Sequence, residues 1–132
     1  MHKIDFKKGA SEMIGFSLSL IIILNILAYL LSMVVIQDAL ADMTFAVNTA
    51  SREAIVCDSM ESATQMATDV VNELIQRNGA ITETRVDVRY TPGSEQEWKK
   101  GNFIDVAVIC KIRVLTPLID DERHVKQMRM IE

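Results

Sequence analysis

The chain has 132 residues, of which 49% are hydrophobic, 24% charged and 5% aromatic. This length allows one small domain and argues against a large multidomain enzyme. Fourteen basic and 18 acidic residues give a net charge of −4. That balance argues against a nucleic-acid partner, because nucleic-acid-binding domains usually carry a basic patch.

The most uneven feature of the sequence is residues 13–37, a stretch of 25 positions without a charged residue. As a helix it spans about 37 Å, which exceeds the roughly 30 Å of a bilayer's hydrocarbon core. The stretch is longer than the hydrophobic region of a cleaved secretory signal, and no small-x-small cleavage site follows it. We therefore predict a retained, single-pass transmembrane helix over residues 10–37.

The charges that flank this stretch predict its orientation. Lys3, Lys7 and Lys8 precede it, whereas Asp38 and Asp42 follow it. By the positive-inside rule, the N-terminus is cytoplasmic and residues 38–132 lie outside the cell membrane.

Two polar residues near or within the stretch have alternative interpretations. Glu12 is either an interfacial residue at a helix N-terminus, where the helix dipole favours a negative charge, or an intramembrane carboxylate that needs a positive partner. Asn25 either is tolerated in a long apolar helix or hydrogen-bonds to a partner helix.

A family resemblance rests on the residues KKGASEMIGFSLSLIIIL, which follow the first six. A short basic leader ending in Lys-Lys-Gly, then a small residue, an acidic residue and an apolar helix, resembles the N-terminus of type IV pilin-like proteins. It is most similar to the TadE-like minor pilins and pseudopilins of tight-adherence (Tad) pili. In that family a prepilin peptidase cuts after the Gly on the cytoplasmic side, and the retained helix becomes the filament core.

The resemblance implies a leader of residues 1–9 and a processing site between Gly9 and Ala10. It also implies prepilin peptidase and other pilin-like subunits as partners, with Glu12 taking part in subunit registration. The family usually has its glutamate fifth after the cut, whereas Glu12 would be third. The alternative is an uncut signal anchor in which Gly9 is a linker residue.

The residues after Asp38 favour helix as far as Asn78-Gly79, a C-terminal stop signal. We predict an amphipathic stalk helix over residues 38–78, with a possible kink at residues 58–62. Its apolar face follows helical spacing and comprises Met43, Val47, Ala50, Ala54, Cys57, Ala63, Ala67, Val70 and Leu74.

After Gly79 the apolar period changes to two, which is typical of strands. Strands are predicted around residues 85–90, over residues 103–115 and, less distinctly, over residues 123–131. The predicted fold class is therefore α+β, with the long helix packed on a small antiparallel sheet of about three strands, residues 79–132.

The two cysteines fall on apolar faces, Cys57 on the predicted helix and Cys110 on the central strand. If those faces pack together outside the cell, a disulfide between them is possible. The alternative is two buried free thiols that act as small apolar residues.

No catalytic motif is present in the sequence, and we predict neither an enzyme nor a metal or cofactor site. Trp98, the only tryptophan, lies in a polar loop. It is either an anchor for a partner protein or a cover for the sheet edge. The expected function is structural, as a minor pilin or pseudopilin of a type IV or Tad-type filament or its assembly machinery, with an uncleaved, membrane-anchored protein-binding module as the alternative.

Overall fold

The computed structural model describes residues 6–132 of the chain and the side chains of residues 7–132. It has two helices followed by three strands: α1 (Phe6–Ala54), α2 (Met60–Ile75), β1 (Ile81–Tyr90), β2 (Phe103–Ile112) and β3 (Glu122–Met130). The predicted α+β fold, a long N-terminal helix packed on a three-stranded antiparallel sheet, is confirmed. Residues 1–5 of the predicted leader lie outside the described residues.

The first helix begins earlier than the sequence predicted. α1 starts at Phe6, so Gly9 and Ala10 are already helical. Lysine and alanine favour helix, and a single glycine costs only about 1 kcal/mol in a helix interior. The predicted boundary between leader and helix is therefore not a boundary of secondary structure.

The prediction of one stalk helix over residues 38–78 is wrong, because the chain reverses direction near its middle. α1 ends at Ala54 and α2 begins at Met60. Ser59 is the N-cap of α2, and its hydroxyl accepts a hydrogen bond from the Ser62 backbone N–H at 3.2 Å. The Asn78 side chain donates to Asp42 at 2.7 Å, so α2 returns along α1 as an antiparallel helix.

The sheet is an antiparallel meander in the order β1-β2-β3. Val106 on the central strand lies opposite Val88 on β1 and Gln127 on β3. The face of β2 that the alternation predicted to be apolar is buried against the helices. Its buried residues are Ile104, Val106, Val108, Cys110 and Ile112.

Small residues form the seam between the helices. Ala50 and Ala54 of α1 are buried, as are Ala63 and Ala67 of α2. Towards the end of α2 the buried positions are Val71 and Ile75, whereas the predicted Val70 and Leu74 are only partly buried. The buried residues of α2 are spaced by four, which exceeds the helix period of 3.6, so the buried stripe turns around the helix towards its end.

The folded domain, residues 32–132, has two ends that matter for function. At one end, which we call proximal, the loop between β2 and β3 contacts α1 at Ser32. At the opposite end, which we call distal, the turn of residues 55–59 contacts Trp98 and the C-terminal Glu132.

Candidate functional site: the exposed apolar segment of the first helix

The principal candidate site is the N-terminal part of α1, which no other part of the described chain covers. Residues 7–31 are all exposed except Ala28, which is partly buried. We call residues 13–31 the apolar segment. Its exposed large side chains include Met13, Phe16, Leu18, Leu20, Ile21, Ile22, Ile23, Leu24, Ile26, Leu27, Tyr29, Leu30 and Leu31. Its 19 residues span about 28 Å, close to the roughly 30 Å of a bilayer core.

Immediately after this segment, α1 is buried on one face and exposed on the other. Ser32, Ile36 and Ala39 are buried by the domain, whereas Val34 is exposed. The predicted membrane span of residues 10–37 therefore overlaps the domain at residues 32–37. The exposed apolar surface that remains is shorter and matches the thickness of one hydrocarbon core more closely.

Polar side chains within the apolar segment bond to their own helix. Ser17, Ser19 and Asn25 each donate to the carbonyl four residues earlier, at 2.9, 2.9 and 2.8 Å. A serine has its one hydroxyl donor satisfied in this way. The Asn25 amide keeps its oxygen and one N–H available for another partner.

Glu12 lies one residue before the apolar segment, and its side chain is exposed. None of the ion pairs within residues 7–132 includes its carboxylate. Both interpretations of Glu12, as an interfacial acid and as a group that pairs with another molecule, stay predictions.

Gly9 and Ala10 are exposed on the first turns of α1. A Cβ atom added to Gly9 meets nothing within 4 Å, and the same holds for Gly15 in the apolar segment. Neither glycine is required by the packing of the described chain, so a side chain can be introduced at either position without a clash.

Ser32 is a contact that the sequence analysis missed. Its hydroxyl donates to the Ala28 carbonyl at 2.8 Å and accepts from the Leu115 backbone N–H at 2.9 Å. This bond joins residues 83 positions apart and fixes the proximal end of the domain to α1. In the sequence, Ser32 is indistinguishable from the other serines of the apolar stretch, so no local signal identifies it.

Trp98 packs against the core and covers the turn between the two helices. Its indole N–H donates to the Cys57 carbonyl at 2.9 Å, which satisfies a backbone group left without a helical partner where α1 ends. Of the two interpretations offered by the sequence, the structure supports a covering role, although the residue covers the helix turn rather than the sheet edge.

The possible disulfide between Cys57 and Cys110 is absent from the structure, in which both are free thiols. Cys57 lies in the distal turn, and its thiol donates to the Glu53 carbonyl. Cys110 lies near the proximal end of β2 beside Thr84. Because β2 runs from the distal to the proximal end, it carries Cys110 away from Cys57.

The pKa values of both thiols are raised above that of a free cysteine. Burial raises the pKa of Cys110, and partial burial together with the charges of Asp58 and Glu53 raises the pKa of Cys57. Both thiols therefore stay protonated, and weakly nucleophilic, further into the alkaline range than a free cysteine.

Asp105 is a buried carboxylate of the sheet, and its hydrogen-bond partners compensate for the burial of its charge. Its oxygens accept hydrogen bonds from Thr91 and Lys126, both at 3.0 Å. Among the described residues, no group of three or more His, Cys, Asp or Glu side chains is arranged to hold a metal ion. This buried charge is thus part of the sheet's packing.

No family model, curated protein or solved structure matches the chain. Within the described residues, one helix, α1, is long and apolar enough to cross a membrane, and its most apolar part is almost entirely exposed.

Proposed function

We propose that the protein is a pilin-like structural subunit, a minor pilin or pseudopilin of a Tad-type filament or its assembly machinery. One observation carries the proposal. The apolar segment is exposed on every face, whereas the same helix beyond Leu31 is buried on one face by its own domain. Exposed apolar surface of this extent is unfavourable in water, so the segment requires lipid or other protein chains around it.

A soluble core helix and a cleaved signal sequence both fit these features less well than a retained membrane helix. The core helix of a soluble protein can be equally long and apolar, but it is mostly buried. A cleaved signal sequence would be removed from the mature chain, yet α1 continues without a break from the apolar segment into the domain core at Met43 and Val47. Cleavage after the segment would cut a continuous helix.

The proposed mechanism is assembly, not chemistry. Before assembly the apolar segment lies in the cell membrane, with the N-terminus in the cytoplasm and the domain outside. During assembly the segment exchanges lipid contacts for packing against the same segment of neighbouring subunits, where van der Waals packing and interhelical hydrogen bonds favour association. The domain then forms the outer layer.

Two residues of α1 are suited to setting the register between subunits. The Asn25 amide retains hydrogen-bonding groups that its own helix does not use, and such groups favour a partner helix in an apolar environment. The exposed Glu12 carboxylate requires a positive partner there. A cut after Gly9 would create one, the free amine of Ala10 on a neighbouring subunit.

The proposed cut is in a part of α1 that can open locally. Gly9 is exposed and lies four residues before the apolar segment, and a glycine weakens the helix around it. Opening the helix there breaks few hydrogen bonds and leaves the apolar segment intact.

The test is the N-terminal mass of the full chain from native membranes, with the prepilin peptidase present and absent. The proposal expects a mature chain that begins at Ala10 only when the peptidase is present. Gly9→Leu should abolish the cut, whereas the matched substitution Gly15→Leu should leave it unchanged. Neither leucine meets another group at its Cβ, so altered folding does not explain a difference.

An intact N-terminus in every sample would overturn the processing step and favour the uncleaved, membrane-anchored binding module. A cut at another position that still depends on the peptidase would preserve the filament function and would show that Gly9 is not the processing site.

A further inference from the structure

The loop between β2 and β3, residues 113–121, is held firmly against the proximal end of α1. We call it the proximal loop. The Ile112 N–H donates to the Asp121 carbonyl at 2.7 Å and closes the base of the loop. The Leu115 N–H donates to the Ser32 hydroxyl at 2.9 Å and fixes the loop to the helix.

The inner side of the proximal loop has an apolar core of its own. Val114 and Ile119 pack against a small cluster formed by Ile36, Ala39 and Ile112. Thr116 is buried, and its hydroxyl accepts from the Leu118 backbone N–H at 3.3 Å. The loop conformation is therefore fixed by packing and hydrogen bonds on its inner side.

The outer side of the same loop is apolar and exposed. Leu118 is 80% exposed and Leu115 is 62% exposed, and the residues between them include Pro117. Surface loops are usually built from polar and turn-forming residues. Two exposed leucines on one fixed loop form a small apolar surface that lipid or another protein can cover.

The position of the loop along α1 indicates which of the two covers this surface. Ser32, to which the loop is bonded, immediately follows the apolar segment, whose length matches the hydrocarbon thickness of a bilayer. Val34, on the next part of the helix, is 66% exposed. The two exposed leucines therefore lie beside the end of the apolar segment, at the level where α1 leaves the proposed membrane.

We infer that the proximal loop rests on the bilayer surface and inserts Leu115 and Leu118 into its interfacial region. This inference rests on the proposed membrane anchoring of the apolar segment. The loop is a second point of contact with lipid, which fixes the orientation of the domain relative to the membrane before assembly. Leaving the membrane then requires the loop as well as the helix to lose its lipid contacts.

The charges of the loop indicate which lipids it needs. Arg113, Asp120 and Asp121 are exposed, and together they give the loop a net negative charge. Attraction to anionic headgroups is therefore not required, and burial of the two leucines supplies the interaction. Vesicles of phosphatidylcholine alone should suffice.

The test places an environment-sensitive fluorophore on one accessible cysteine at a time in the full chain, reconstituted in phosphatidylcholine vesicles. Cys57→Ser is the background, and Cys110 is retained because it is buried and its pKa is raised by burial. Leu118→Cys reports on the loop and Ile23→Cys on the middle of the apolar segment. Val56→Cys is the matched control, because Val56 is 65% exposed but lies in the distal turn.

Nitroxide quenchers attached to the lipid headgroup and to the acyl chain then measure depth. We expect acyl-chain quenching at Ile23, severalfold stronger headgroup-level quenching at Leu118 than at Val56, and no dependence on anionic lipid. Quenching at Ile23 with Leu118 as unquenched as Val56 would overturn the inference and leave the anchor intact. An unquenched Ile23 would overturn the anchor, and the inference with it.

Discussion

The two halves of α1 both contain apolar residues, but they differ in how those residues are distributed and in what surrounds them. The apolar segment carries leucine and isoleucine on all sides, and all of these side chains are exposed. From Ser32 to Ala54 the helix is buried on one face, and that face is rich in alanine: Ala39, Ala46, Ala50 and Ala54 are each 0% exposed. Small side chains allow α2 and the sheet to approach the helix axis closely. Large side chains distributed on every face suit a surrounding that also contacts every face, such as lipid or a bundle of neighbouring subunits.

Because apolar residues occur in both halves, their presence alone does not indicate which partner a helix has. The distribution of side-chain sizes around the helix separates a surface that its own domain covers from one that requires another molecule. Three sets of substitutions in α1 test this separation, in decreasing order of size, and a fourth in β2 tests the burial of the domain core.

The largest effect is expected from charge in the apolar segment. Replacing both Ile22 and Ile26 by arginine should disfavour membrane insertion by about 6 kcal/mol, because each arginine costs roughly 3 kcal/mol near the middle of a membrane helix. The protein should shift from the membrane fraction to the soluble or aggregated fraction. Val56→Arg, at an equally exposed distal position, should leave the membrane fraction unchanged. Retention of the double variant in membranes would contradict the proposal that lipid surrounds the apolar segment.

The second-largest effect is expected at Ala50, on the buried, alanine-rich face of α1. Ala50→Leu should lower the free energy of unfolding by about 1–3 kcal/mol, because extra methyl groups in a close-packed interior force shifts of neighbouring atoms. Ala41→Leu makes the same change on the exposed face of the same helix, and its unfolding midpoint should match the wild type. Thermal unfolding in detergent measures both variants. Equal stability of the two would show that α2 and the sheet do not pack closely on α1.

A third comparison uses two serines with the same local hydrogen bond. Ser32 and Ser19 both donate to the carbonyl four residues earlier, but only Ser32 accepts a bond from the domain. Ser32→Ala should destabilise the domain by about 1–2 kcal/mol, since it removes the acceptor of the Leu115 N–H. Ser19→Ala should have no effect on domain stability. Hydrogen exchange at Leu115 is the direct measurement, and unchanged exchange in Ser32→Ala would contradict the contact.

The smallest effect is a dependence of stability on pH from the Cys110 thiol. Burial raises the pKa of Cys110 above its ordinary value of 9.0. The unfolded chain therefore loses this proton first as pH rises. The thiol's contribution to stability is full below pH 9.0 and is lost as pH rises through the elevated value. The unfolding free energies of wild type and Cys110→Ala should converge as the pH rises above 9.0, after allowance for the constant cost of the cavity. A constant difference between the two would rule out this linkage.

Much of the fold could be predicted because its signals are local. The alternation around Val106 and Val108 identified the central strand, and the helical spacing through Met43 and Val47 identified the buried face of α1. Thr91-Pro92-Gly93 has the composition of a turn, and Gly93 adopts a positive φ of 91°. Each of these features depends on residues within a few positions of one another.

The reversal between α1 and α2 was harder to predict. No proline or glycine interrupts residues 55–59, so the sequence permits a continuous helix there. The break is stabilised by the Ser59 cap, a local signal that was available, and by the Trp98 bond to the Cys57 carbonyl, which joins residues 41 positions apart. The kink predicted at residues 58–62 lies close to the observed break between Ala54 and Met60. The return of α2 along α1, however, depends on distant contacts such as that of Asn78 with Asp42.

In the candidate site, too, the features that depend on contacts between distant residues could not be predicted from the sequence. The sequence identified Gly9, Glu12 and Asn25, whose proposed partners are other molecules, and the described chain leaves all three exposed. It offered a disulfide between Cys57 and Cys110 because both lie on apolar faces. It did not determine that β2 carries Cys110 towards the proximal end and away from Cys57, since strand direction relative to a helix is not encoded in either element alone.

Period and hydrophobicity are properties of neighbouring residues, so the amino-acid sequence is enough to predict a long apolar helix, an amphipathic continuation and strands with one buried face. Where the exposed helix ends and the domain begins depends on contacts between distant residues. That limit lies at Ser32 because a backbone N–H from residue 115 binds its hydroxyl. Such a contact between distant residues exists only once the helices and the sheet have packed together, and it brings two exposed leucines to the level of the proposed membrane surface.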